Sequence, residues 1–352
     1  MVKFIRKTLT QPGLKPNANL ASVAARARVS TATVSRVLNG AQNVSEQARQ
    51  RVEEAFVDLG YVPNGAARAL AARKTMTVGA IVPTIENGGF SRMIAAFQRV
   101  IGSSGYTLLL TCSNYDLETE LREARTLLSR GVDGMVLVGS EHQPALVKLM
   151  ARYSVPVVET WTLASGKPAV GFDNAAAAAA LAAHLAELGH RRIGAITGRL
   201  AGNDRAYQRA RGIREYLQGR GLPPAVEWET DRPYQIDEGR RAVLELAKRD
   251  ARPTALICGN DQLAFGALIG AGALGLTVPG DMSIAGFNDQ EFAAHLSPPL
   301  TTIRIPVEEM GQRSAELLLQ LIAGSAADAG PVTLGYELVA RQSTAAPPER
   351  PI

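Results

Sequence analysis

The sequence predicts an α/β protein in two parts: a small helix-turn-helix unit at the N-terminus and a larger core of two doubly wound parallel-sheet subdomains. Closely set caps and helical apolar spacing run through residues 19–60. From Thr77 onward, continuous apolar runs of strand length alternate with helical patterns, as parallel strands covered on both faces require. These runs fall into two sets that part near Asp173, and a chain of 352 residues has the length for more than one domain.

Residues 1–18 carry Lys3, Arg6, Lys7 and Lys15 among Pro12, Gly13 and Pro16, a composition that favours a flexible basic arm. Asn19 caps a first helix, Leu20 to about Ala27, with Leu20, Val23, Ala24 and Ala27 facing inward. Only Arg28 and Val29 separate it from Ser30, the cap of a second helix whose Val34, Val37 and Leu38 form one apolar stripe. Thr31, Ala32, Thr33, Ser35, Arg36 and Asn39 are left for the other faces. Short side chains with one long cation let a helix sit deep in a major groove, where hydroxyls, a methyl and a guanidinium reach base edges and phosphates. Thr31, Ala32 and Arg36 are the candidates for base readout; Ser30, Thr33, Ser35 and Asn39 suit phosphates and framework. Ser45 caps a third helix through Val52, Phe56 and Leu59, and Gly60 stops it.

The ordered segments Asn19-Leu20-Ala21-Ser22-Val23-Ala24, Val29 to Gly40, Val44-Ser45 and Leu59-Gly60-Tyr61-Val62-Pro63-Asn64 resemble the headpiece of the lactose-repressor (LacI/GalR) family. Two positions depart from that pattern: Ser22, where an acid is common, and Arg28, where Gly or Asn is usual. If the turn needs a left-handed residue there, Arg28 costs on the order of 1 kcal/mol. The resemblance implies a DNA-binding domain over 19–64 and a hinge helix over 65–75 that forms on DNA and pairs with its dimer mate. Leu70 matches the leucine that similar proteins wedge between base steps, and Ala67 the small residue beside it; Gly65 makes the helix less ready.

In the core, the runs at 78–83, 106–111, 134–138 and 155–159 make the first set of strands, and those at 192–197, 255–258 and 282–287 the second. The resemblance extends over about residues 19–345 and implies a periplasmic-binding-protein-like type I core at 76–345. The chain is expected to cross between subdomains near Asp173, Thr301 and Pro331. The N-subdomain then holds about 76–173 and 302–330, and the C-subdomain about 174–301 and 331–345. Ligands in open α/β sheets bind at the strand ends, here the cleft between subdomains.

By the same resemblance, Arg209 and Asn260 line that cleft, with Phe90 on the strand-end loop after Glu86-Asn87-Gly88-Gly89. Gly88 and Gly89 replace a common Pro and second aromatic. Trp161 and Asn288 stand where relatives often carry an acid. An indole at 161 would stack on a sugar ring or pack at the subdomain boundary. With Arg209 kept and both acids lost, the expected effector is a sugar acid or another small carboxylated metabolite.

The charge distribution agrees with this division. Residues 1–75 hold 12 basic against 4 acidic residues, a net +8, and the rest hold 26 against 29, a net −3. Residues 1–7 are basic, but no apolar signal core follows, and no run reaches the roughly 18 apolar residues that span a membrane. Cys112 and Cys258 suggest no disulfide framework or metal site. No dinucleotide fingerprint, phosphate loop or nucleophile elbow is present, so no enzyme, cofactor or metal is expected. The expectation is a cytoplasmic, homodimeric repressor on a pseudo-palindromic double-stranded operator, controlled by its effector. The alternative is an activator, or a regulator that needs its ligand as co-repressor.

Overall fold

A computed structural model describes residues 18–38, 41, 43–62, 74–163, 166–222, 224, 226–230, 234–249, 252–326 and 329–348. The arm up to Asn17, Asn39, and the hinge positions Ala67 and Leu70 lie outside the described residues. Two compact units divide the chain, Met1–Thr75 and Met76–Ile352.

In the first unit, α1 (Leu20–Ala27), α2 (Thr31–Leu38) and α3 (Glu46–Leu59) enclose a core of Val23, Ala27, Val34, Val37, Val52 and Ala55. Tyr61 closes it by stacking on Phe56, ring centroids 5.4 Å apart. Asn19 Oδ1 accepts from the Ser22 amide at 2.9 Å, and the Ser22 hydroxyl accepts from the Asn19 amide at 2.8 Å. The missing acid at position 22 is thus replaced by a shorter side chain that still closes a capping box. Arg28 does adopt the left-handed conformation, φ 52° and ψ 48°, and its amide bonds the Ala24 and Ala25 carbonyls. The helix-to-helix turn therefore carries the strain that its sequence implies.

In the second unit, β1 (Thr77–Val82), β2 (Thr107–Cys112), β3 (Gly134–Val138), β4 (Val157–Thr160), β5 (Ala169–Gly171) and β11 (Val332–Thr333) form a parallel sheet in the order β11-β5-β4-β3-β1-β2. Helices α4 (Gly88–Ser103), α5 (Leu117–Ser129), α6 (Pro144–Tyr153) and α11 (Val307–Ala323) belong to this N-lobe. The C-lobe sheet, order β7-β6-β8-β9, contains β6 (Ile193–Thr197), β7 (Val226–Glu229), β8 (Ala255–Cys258) and β9 (Ser283–Ala285). Its helices are α7 (Asn174–Glu187), α8 (Asp204–Gly219), α9 (Ile236–Leu246) and α10 (Asp261–Ala273). β3, β6 and β8 are buried end to end, the burial that their apolar runs require.

Strand β10 (Thr302–Arg304) pairs antiparallel with β12 (Glu337–Val339), so two connecting segments run side by side. The last crossing lies later than the expected Pro331. Val332 and Thr333 pair with Val170 and Gly171, which keeps the chain in the N-lobe sheet through Thr333.

Candidate functional site

On α2, Thr31, Ala32 and Arg36 are exposed, Thr33 and Ser35 are half-buried, and Val34 and Val37 face the core. Ser30 caps the helix, its Oγ accepting from the Thr33 amide at 3.1 Å and lying 2.9 Å from the Thr33 hydroxyl. Thr33 is thereby tied to the framework. Arg26 pairs with Asp58, and Arg49 donates to the Ala41 carbonyl at 3.0 Å, bracing the segment after α2. Among the described residues Arg36 makes no ion pair, so one free guanidinium stands beside a threonine and an alanine on the open face. That is the set of groups able to read a major-groove edge.

In the core, the structure brings Phe90, Trp161, Arg209, Asn260 and Asn288 together around one cavity between the lobes. Asn87, Tyr115, Asn203, Arg205 and Tyr234 complete its lining. The lobes are closed on it: the enclosed space is about 20 Å³, roughly room for one water. An outer chamber of about 680 Å³ shares Asn87, Tyr115 and Tyr234 and has Glu86 and Asp237 at its rim.

Arg209 is buried. Its Nε donates to Asn174 Oδ1 and its Nη1 to the Gly259 carbonyl, both at 2.8 Å, and the guanidinium carbon lies 3.9 Å from the centre of the Phe287 ring. No carboxylate pairs with it among the described residues. Burial, with the nearby Arg205 charge adding to it, pushes its pKa down to about 10 against the opposing pull of Tyr234.

Asn260 caps α10, and its Oδ1 accepts from the Leu263 amide at 2.9 Å. The cap fixes the amide, leaving Nδ2 buried without a partner; Asn288 Oδ1 is orphaned likewise. Buried polar atoms of this kind call for a partner such as a water or a ligand group. Backbone strain gathers here too. Tyr115, Trp161, Tyr234 and Asn288 have φ of 58°, 66°, 42° and 106°, conformations that side-chain-bearing residues hold only when the surroundings enforce them.

Trp161 is packed at the lobe boundary. Its Nε1 donates to Met93 Sδ at 3.0 Å, its ring meets Phe90 edge-on at 4.9 Å, and a Cβ on Gly89 would lie 2.9 Å from the indole. The aromatic missing from the 88–90 loop is thus compensated by an indole from β4's end. Sequence reasoning did not single out Asn87, Tyr115, Asn203, Arg205 or Tyr234 as cleft residues. Arg205 was legible: it precedes Arg209 by one helical turn and is buried with it, whereas Arg211 is exposed. Among the described residues, no cluster of His, Cys, Asp or Glu is arranged to hold a metal ion, and no helix is long and apolar enough to cross a membrane.

Comparisons with known proteins agree with this geometry. Residues 19–64 match the family of bacterial regulatory proteins, lacI family, and residues 182–344 match the periplasmic binding protein-like domain. The chain is 34% identical over 337 residues to the HTH-type transcriptional repressor PurR of Yersinia pestis (strain Pestoides F), a match covering 95% of this chain and 98% of that protein. It is 32% identical over 330 residues to catabolite control protein A of Priestia megaterium, covering 93% and 99%. The crystal structure of the lac repressor dimer bound to operator and the anti-inducer ONPF aligns with a TM-score of 0.85 at 29% identity, covering 94% of this chain and all of that one. A lacI-type headpiece, a periplasmic-binding-protein-like core and end-to-end relatives together place the chain in the lacI family of DNA-binding bacterial transcriptional regulators.

Proposed function

We propose that this protein is a homodimeric transcriptional repressor that acts in the cytoplasm on a pseudo-palindromic operator and is controlled by a small carboxylated metabolite, a sugar acid, in the core cleft. The observation that carries the effector reading is Arg209: a buried cation with no carboxylate partner among the described residues, beside the unpaired Asn260 Nδ2 and Asn288 Oδ1. A carboxylate would neutralise the guanidinium, and ligand hydroxyls would satisfy both amides. Phe90 and Trp161 supply the apolar wall.

For operator binding, Thr31, Ala32 and Arg36 read bases, Thr33, Ser35 and Asn39 serve phosphates and framework, and Ala67 and Leu70 enter the minor groove at the operator centre. The dimer reading is supported by α10, which is apolar almost all round and leaves Ile269 exposed, with Leu274 exposed just beyond it. The lac repressor that this chain resembles is a dimer on its operator. An effector shifts operator affinity only as far as it binds the two lobe arrangements differently.

Fluorescence anisotropy on DNA from the gene's own upstream region, with a panel of aldonic and uronic acids and the matching neutral sugars, tests this. Release by one sugar acid is the expected result. Tightening by it makes the ligand a co-repressor; response to a neutral sugar alone overturns the carboxylate reading.

A further inference from the structure

We infer that Asp204, Arg205 and Ser140 form a latch that joins the two lobes of the core directly, protein to protein, across the cleft. Asp204 and Arg205 open α8 in the C-lobe, and Ser140 follows β3 in the N-lobe. Asp204 Oδ2 accepts from both the Ser140 amide, at 2.9 Å, and its hydroxyl, at 2.8 Å. Asp204 Oδ1 accepts from Arg205 Nη1 at 2.7 Å, and the same nitrogen reaches the Val138 carbonyl at 3.2 Å. Every one of the Ser140 and Val138 contacts joins one lobe to the other.

The two charges are nearly withdrawn from water, with 11% of the Asp204 and 7% of the Arg205 side chain exposed. Breaking such a pair by removing one partner leaves an uncompensated buried charge, so the arrangement is held as a unit. Burial pushes the Asp204 carboxyl upward, but the Arg205 charge and the Ser140 bonds outweigh it and hold the group below its ordinary value. The backbone is shaped for the contact. Gly139 sits at φ 93°, and a Cβ there would lie 2.0 Å from Arg205 Nη1 and 2.7 Å from Asp204 Oδ1. Only a glycine leaves the space that the guanidinium fills. Because Arg205 also lines the cleft, the lobes cannot part without disturbing these bonds. The latch depends on no particular effector.

The test is hydrogen exchange by mass spectrometry on the full-length, ligand-free protein, following the peptide that contains Ser140. Asp204→Asn is expected to speed exchange there and at the start of α8 on the order of tenfold, with the rest of the core unchanged. Ser140→Ala, which removes one hydroxyl bond and leaves the carboxylate paired with Arg205, should give a smaller rise in the same peptide. Gly139→Ala should reproduce the Asp204→Asn pattern by displacing Arg205. No change at Ser140 in any variant overturns the latch. So does a rise spread evenly over the whole core, which would make the pair an ordinary stabilising contact.

Discussion

A guanidinium buried as deeply as Arg209 gives up hydration that its bonds to Asn174 and Gly259 replace in only two directions. Arg209→Lys keeps the charge but not the planar fork, so it leaves Asn174 Oδ1 or the Gly259 carbonyl unpaired. The expected loss is about 1–3 kcal/mol in urea unfolding, together with loss of the sugar-acid response in the anisotropy assay. Unchanged ligand response would remove Arg209 from the effector site. On the headpiece, Arg36→Ala should weaken operator binding by about 1–3 kcal/mol and relax preference at one base pair. An equal loss on every sequence would make Arg36 a phosphate contact instead. The family resemblance, rather than any local pattern, brought Arg209, Asn260, Asn288 and Phe90 to the cleft: Asn260 and Phe90 do sit at helix starts, but Arg209 lies in the second turn of α8. It left the indole of Trp161 open between two roles. That choice depends on the space beside Gly89, a distance across the lobe that no local pattern encodes.

Among the elements, the turn between α1 and α2 is the place where local preference and fold disagree. Arg28 holds the left-handed conformation that glycine adopts freely, so Arg28→Gly should stabilise the headpiece by about 1 kcal/mol, read as a later headpiece transition in thermal unfolding. The start of α10 carries a different conflict. Asp261 is buried, and its pKa rises to about 7, burial being the main cause and Asp289 a lesser one, against bonds from Thr302 and Gln290. A carboxyl raised from its ordinary 3.8 favours the folded state while protonated. Its contribution is complete below about pH 4 and is lost as pH rises through about 7, so stability should decline across that window. Asp261→Asn should flatten the decline in urea midpoints measured from pH 4 to 7; an unaltered slope would assign the dependence to other groups. The long buried strands were legible because apolar runs of five or six residues are. β5, β10, β11 and β12 are two or three residues long, too short for any period to show, and β7, Val-Glu-Trp-Glu, alternates as a strand open on one face does.

For the whole molecule, the basic 1–75 region and the mildly acidic remainder fit the proposed division between binding DNA and sensing, and the proposed two-fold symmetry would couple them. A single headpiece presents one short helix to the groove, and its contacts alone supply a modest, salt-sensitive affinity. In the proposed dimer, two headpieces would engage the second half-site as an intramolecular event, at an effective concentration in the millimolar range. The exposed Ile269 on an otherwise apolar α10 is therefore the place to separate the two effects. Ile269→Asp should yield a monomer in sedimentation, with the lobes folded and operator affinity down at least about 100-fold, while affinity for an isolated half-site is unchanged. A variant that sediments as a monomer yet keeps full operator affinity would show that the second half-site contributes nothing. In that case the proposed pseudo-palindromic operator would have no physical basis in this protein.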